Sequence, residues 1–306
     1  MNVFPIFASM ALLTLAATLV PTGAVAFGTG IEGGRGKNGQ PSRGMGKDDG
    51  TGHLDGPAMK SGPQAGLNPE MQRAFMATMA AIESMEARGF FETGLRPAYP
   101  EHLKCQTADS FFGVTIRGDG SVRSTRFYHG RHGGLDIPAK GIEIIAMADG
   151  EVIEKSEGEN IGGIKVVVRH SPADTGLDRW IFTEYKHLQE PSPLSLHARV
   201  RKGEPVGIAG NTGTTGGRAY GPEGHYHLHL TTWYNNTGEY VETPKMLIPV
   251  DGYWLDPLAM LRGGPLESAA VRALPESQKQ VRFAYMTTDG SVHPEGARVV
   301  WPFVCR

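Results

Sequence analysis

Five of the chain's eleven histidines fall in two short stretches. His129 and His132 lie in YHGRHGGLDIPA, and His225, His227 and His229 lie in GHYHLHL. Imidazole titrates near neutral pH and ligates metals through either ring nitrogen, so such clusters point to metal binding or proton transfer. In a strand, residues two apart share a face, so the three downstream histidines can look into one cavity. The upstream stretch offers His132-x-x-x-Asp136, with glycines at 133 and 134 that let a loop histidine and a strand-entry carboxylate meet at one ion. Alone that spacing arises often by chance; beside H-x-H it becomes much stronger. Two neutral imidazoles and one carboxylate leave a zinc ion one net positive charge and a fourth position for water, which is the pattern of a catalytic site.

The other histidines read more plainly. His170 ends an expected strand and His197 sits in a polar turn, both structural or solvated. His129 is a candidate support for the metal from outside its ligand shell. The alternation that places these residues is β. Ile164–His170, Trp180–Lys186, Pro205–Ala209 and Tyr226–Trp233 read as strands, and Ile142–Met147 and Glu151–Lys155 as a hairpin turning at Asp149-Gly150. A short helix is predicted around Asp256–Leu261, and Asp289-Gly290 as the turn of a last hairpin. Pro69 opens a predicted helix to about Arg88, with Met71, Phe75, Met79, Ile82 and Met85 on one apolar face and Gly89 ending it. The fold class expected is mainly β with an antiparallel core, an N-terminal helix and a short C-terminal helix.

The ends carry different information. Val3 to Val20 is nearly all apolar or small, and no charged residue comes before Glu32. Ala24-x-Ala26 then marks a signal-peptide cleavage site. The competing reading is an uncleaved membrane anchor, for which the run is barely long enough. Residues 27–68 are rich in Gly, Ser, Pro, Lys and Asp and read as a flexible linker. Cys105 and Cys305 are the two cysteines, and an exported chain favours their pairing. A net charge of −2, with no Lys/Arg-rich run, gives no sign of a nucleic-acid partner. The expected order is signal peptide (1–26), linker (27–68), helical segment (69–104), catalytic domain (105–262) and C-terminal extension (263–306).

These motifs resemble the lysostaphin/LytM-type zinc metalloendopeptidases, whose catalytic domain is the β-rich duplicated hybrid motif. The family pattern runs H-x-x-x-D, then Y-x-H-L, then H-x-H. This chain carries HGGLD at 132–136, YKHL at 185–188 and HLHL at 227–230, in that order. GIEIIAMADGEV and RVRKGEPVGIAGNTGTTGG resemble the family's intervening segments, and the likeness covers roughly residues 111–261. It implies one zinc ion held by His132, Asp136 and His229, with His187 and His227 as unliganded catalytic histidines. Leu between the two histidines selects the pair 227 and 229 over 225 and 227. Leu230-Thr231 departs from the family's commoner aromatic-then-acidic pair, which bears on substrate contacts. The glycine-rich loop 210–224 would wall a groove, where Tyr220 is either a substrate contact or a surface aromatic.

The resemblance, with the export signal, implies a secreted or periplasmic hydrolase of peptidoglycan peptide cross-links, without stable membrane insertion after cleavage. Two other functions fit the same sequence. One is a non-catalytic wall-binding or amidase-activating protein, whose relatives typically lack metal ligands. The other is a secreted protease for Gly-rich proteins. The segment before Phe91 could be a spacer, a docking arm or an inhibitory cover.

Overall fold

The computed structural model describes residues 68–158, 162–215, 218–219 and 224–306. The N-terminal apolar run, nearly all of the expected linker and Tyr220 lie outside the described residues. Among the described residues no helix is long and apolar enough to cross a membrane.

The chain begins with helices α1 (Pro69–Phe75) and α2 (Ile82–Ala87), then strand β1 (Arg96–Ala98). Strands β2 (Leu135–Pro138), β3 (Glu143–Ile145), β4 (Gly150–Glu157) and β5 (Ile164–His170) follow. A one-turn helix, α3 (Pro172–Thr175), leads into β6 (Trp180–Lys186), β7 (Arg199–Val200) and β8 (Pro205–Ile208). After the short pair β9 (Thr214–Thr215) and β10 (Arg218–Ala219) come β11 (His227–Asn235), β12 (Tyr240–Glu242), β13 (Leu247–Pro249) and β14 (Tyr253–Leu255). Helix α4 (Pro257–Arg262), capped by the Asp256 carboxylate, precedes α5 (Ser268–Arg272), β15 (Gln280–Arg282), β16 (Tyr285–Met286) and β17 (Val292–His293).

The expected mainly β, antiparallel architecture is what the chain adopts. Its main sheet runs β14-β11-β6-β5-β4-β7, with β2 pairing the first half of β11. All its ladders are antiparallel. The sequence HLHLTTWYN explains β11. Leu228, Leu230 and Tyr234 enter the main core with Ile137, Val166 and Tyr185, while His227, His229, Thr231 and Trp233 alternate onto the opposite face. That second face is half apolar. Trp233, Phe182 and Val167 pack there against Phe75, Phe90 and Trp254, and the histidines occupy its other end.

Two sequence expectations change. The N-terminal helix is broken in two, with Met76 in extended conformation. Carbonyls that a continuous helix would use internally go to the turn at 128–129 instead. Tyr128 Oη donates to Phe75 O (3.0 Å), Tyr128 N to Ala77 O (2.9 Å) and His129 Nε2 to Ala80 O (2.7 Å). Met71, Phe75 and Met85 are buried, but Met79 and Ile82 are exposed. The segment is docked through Trp254, which stacks on Phe75 and Phe90 and donates Nε1 to Ala74 O. The second change concerns 142–155, which does not form a hairpin. β3 pairs with β8, whereas β4 pairs with β5 and β7. Ile144 to Ala148 are all buried, so this run crosses the interior instead of folding back.

The C-terminal stretch joins the same core through Phe283, Trp301 and Phe303, and Asp289-Gly290 turns the β16–β17 hairpin. Cys105 and Cys305 are disulfide-bonded across 200 residues. A closure of that span restricts the unfolded chain strongly, so replacing both cysteines by serine should lower stability by about 2–5 kcal/mol. Chemical denaturation of the two forms measures it; an unchanged midpoint would contradict this reading.

Candidate metal centre and active-site cleft

Register brings the separated motifs together. On β11, His229 lies opposite Asp136 of β2 on one side and Lys186 of β6 on the other. The HGGLD turn must pass close beneath this strand to deliver His132. A Cβ at Gly134 would lie 2.2 Å from the Leu230 carbonyl oxygen, so only glycine fits there. His187 follows β6 directly with φ of 61°, a left-handed conformation that costs a non-glycine residue about 1–3 kcal/mol. That bend turns its ring toward His227 and His229, at centroid separations of 4.7 and 5.9 Å.

His132 Nε2 lies 3.0 Å from Asp136 Oδ1 and 3.1 Å from His229 Nδ1, and the last two atoms are 2.7 Å apart. His132, Asp136 and His229 therefore offer three donor atoms to one point, and His187, His227 and His229 form a second such group. The hydrogen bonds around them set the tautomers. His132 Nδ1 donates to Phe111 O (2.9 Å), His187 Nδ1 to Thr212 O (2.6 Å) and His227 Nδ1 to His225 O (2.8 Å). With those protons committed to carbonyls, each neutral ring presents a bare Nε2. A bare His132 nitrogen facing a carboxylate oxygen at 3.0 Å is repulsive unless a cation lies between them. The donor set of two imidazole nitrogens and one carboxylate oxygen suits zinc.

Burial and charge act together here. Burial alone would raise the Asp136 pKa, but its close neighbours His132 and His227, and then His229, outweigh it and hold the carboxyl well below its usual range. Arg123 Nη2 adds an ion pair to Asp136 Oδ2 at 3.1 Å and donates to Ser110 Oγ. Burial pushes His229 down to about 3. It also takes His187 well below 6.5, with His227 and His229 acting in the same direction. These imidazoles are thus neutral near pH 7, the form that binds metal or accepts a proton.

A cleft of about 400 Å³ opens over the cluster. Its walls include Met76–Thr78 of the N-terminal segment and the 117–131 stretch, and its floor continues along β6 and β5. All five sequence-predicted residues, 132, 136, 187, 227 and 229, line it. His225 is exposed and joins neither donor group. His129 is also exposed, and its ring holds Ala80 instead of supporting the metal. Sequence reading missed Arg123 and Ser110, which sit in polar stretches without a distinguishing pattern. It missed the charges of β5 and β6 as well, although Lys165 and Glu184 inside otherwise apolar strands were a usable sign.

Residues 130–242 match the profile of Peptidase family M23. That stretch is similar to peptidase family M23. The match spans under half of the chain, yet the matched segment contains all five converging side chains. A search of curated proteins finds no match. Among solved structures, the catalytic domain of the antimicrobial peptidase lysostaphin from Staphylococcus simulans is 20% identical, over 35% of this chain and 69% of that one, with a TM-score of 0.27. The catalytic domain of the prophage-encoded M23 protein EnpA from Enterococcus faecalis is 16% identical, over 51% and 95%, at 0.32. A putative glycyl-glycine endopeptidase lytM from Ruminococcus gnavus is 26% identical, over 38% and 42%, at 0.27.

His170 shows what a structural histidine looks like beside the candidate metal centre. It is fully buried, donates Nδ1–H to Asp149 O and accepts from Thr183 Oγ1. Burial lowers its pKa from 6.5 to about 4. Below pH 6.5 the unfolded chain binds this proton and the folded one does not, so its contribution is present above 6.5 and lost as pH falls toward 4. The full loss amounts to roughly 3 kcal/mol. Denaturation of the parent and His170→Asn between pH 7 and 4 should show the variant's stability falling less steeply. Parallel slopes would contradict the assignment.

Proposed function

We propose that this chain is a secreted zinc metalloendopeptidase that hydrolyses peptide cross-links of bacterial peptidoglycan. The carrying observation is the arrangement around Asp136: three histidines locked by backbone carbonyls present bare Nε2 atoms beside one buried carboxylate. The similarity of residues 130–242 to peptidase family M23 supports the reaction class. The apolar N-terminus with Ala24-x-Ala26 supports export, with residues 1–26 as signal peptide and about 105–262 as catalytic domain.

His132 Nε2, Asp136 Oδ1 and His229 Nδ1 would hold the ion. This set is favoured over His187, His227 and His229 because it includes a carboxylate to offset the metal's charge. A zinc ion bound by these residues would supply Lewis-acid chemistry, polarising a scissile carbonyl and lowering the pKa of water. The remaining pair does proton work. His187 and His227 keep Nδ1–H on Thr212 O and His225 O, so each aims a basic Nε2 inward. One takes the proton of the attacking water on its Nε2 and then gives that proton to the leaving amine. Their left-handed and strand positions are fixed before substrate arrives, which avoids reorganisation during the reaction.

The roles separate by mutation. His229→Ala should drop zinc from about one per chain to near none. His187→Ala should keep its zinc while cleavage falls about 10²–10⁴-fold. Metal analysis and digestion of purified cell-wall sacculi, with and without chelator, measure both. Full activity of His229→Ala, or no chelator-sensitive release of muropeptides by the parent, would refute the proposal. A zinc-free parent protein would instead favour a wall-binding role.

A further inference from the structure

The floor of the cleft beside the histidines carries a chain of buried charges that neither the ligand set nor the proton transfer uses. Lys165 of β5 stands opposite Lys186 of β6, which stands opposite His229 of β11. Lys165 Nζ lies 2.7 Å from Glu154 and 2.9 Å from Glu184. Glu184 in turn lies 2.7 Å from Lys186 Nζ. Lys165 and Glu184 are 2% and 1% exposed. Burying such charges costs several kcal/mol per ion unless each is met by its opposite. Here the pairs alternate in sign, and burial is outweighed for both inner groups. The charges of Glu184 and Glu154 raise the Lys165 pKa, while those of Lys165 and Lys186 lower that of Glu184 to about 2.

The two ends of this chain differ. Glu154 closes one end against Lys165 alone. Lys186 closes the other, in the cleft and next to His229, with its side chain 20% exposed. Its stem runs past the bare Gly162 backbone, where an added Cβ would come within 3.3 Å of Cδ and 3.4 Å of Cε. Its ammonium is ion-paired with Glu184, and Thr231 Oγ1 at 3.5 Å is a distant hydrogen-bond acceptor. An anchored cation with donor capacity to spare therefore faces the cleft one strand from the metal site. The surroundings reinforce its sign. Arg117, Arg123, Arg131, Lys165, Lys186 and Lys245 line the cleft against only Asp136 and Glu184 among the carboxylates there. Arg123 is engaged by Asp136 and Arg131 by Glu86, which leaves the field positive.

We infer that Lys186 is a specificity-determining residue that docks a substrate carboxylate adjacent to the scissile bond, so that the enzyme prefers anionic peptides over uncharged glycyl ones. This rests on the peptidase reading above and names the substrate class for it. The carboxylate could be a side chain or a chain terminus, because Lys186 offers a point charge with rotatable donors and imposes no planar geometry.

The test uses the full-length protein with and without added zinc. Calorimetry measures binding of reduced-bond peptides in matched pairs, Glu against Gln beside the blocked bond, and free against amidated C-terminus. A charge-assisted contact should favour the carboxylate member of at least one pair about tenfold. Whichever pair responds identifies the source. Lys186→Met should abolish the preference and Lys186→Arg should retain it, with circular dichroism checking that both fold. Equal binding within both pairs, or a preference that survives in Lys186→Met, overturns the inference. Cleavage of the matching hydrolysable peptides is read in parallel. Zinc-dependent cleavage blind to charge sinks the inference and spares the hydrolase. Charge-selective binding lost in Lys186→Met, without cleavage, upholds the docking role and sinks the hydrolase.

Discussion

A carboxylate almost out of reach of water governs the architecture of this protein. Asp136 is 4% exposed, and an isolated ionised carboxylate so placed would be protonated or would not be tolerated. Its two oxygens are instead divided. Oδ2 faces the Arg123 guanidinium, and Oδ1 faces His132 and His229 with His227 at 3.6 Å. The same oxygen that needs positive charge is thus the one toward which ring nitrogens converge. A cation at that point relieves the carboxylate and the lone pairs together, which ties the stability of the centre to its chemistry.

The rest of the fold keeps these atoms in register. Asp136 pairs with His229 across β2 and β11, and a slip of one residue would send both to the opposite face. β6 fixes the other flank and ends in the left-handed His187, whose carbonyl and ring are tied to Gly210 N and Thr212 O. Beneath the sheet lies the main apolar core. Above it, the N-terminal helices and Trp254 cover the part of the face that the cleft leaves. The disulfide draws the last residues back to Lys104, where backbone bonds run both ways between Lys104 and Arg306.

The parts legible in the sequence were those with a short period and an unusual residue type. HLHL on an alternating strand and HGGLD at a glycine turn declared a shared point because histidine is rarely spent on a packed strand face. β5, β6, β8 and β11, and the helix capped by Asp256, were readable from alternation and capping chemistry. What escaped depended on partners distant in the chain. The break in the N-terminal helix follows from the turn at 128–129 competing for its carbonyls, and no local propensity encodes that. Ile142–Lys155 looked like a hairpin because Asp-Gly turns are common in hairpins, yet β3 and β4 find other strands. Arg123 and the Lys165–Glu184–Lys186 chain acquire meaning only when cross-strand neighbours are known.

The claim that Asp136, His132 and His229 surround a single ion is tested most directly by zinc-edge X-ray absorption on the purified protein. The account predicts four light-atom ligands at about 2.0–2.2 Å, two of them imidazoles and one a carboxylate. A spectrum with three imidazoles would move the ion to His187, His227 and His229 and contradict it, as would the six-oxygen shell of a loosely held hydrated ion.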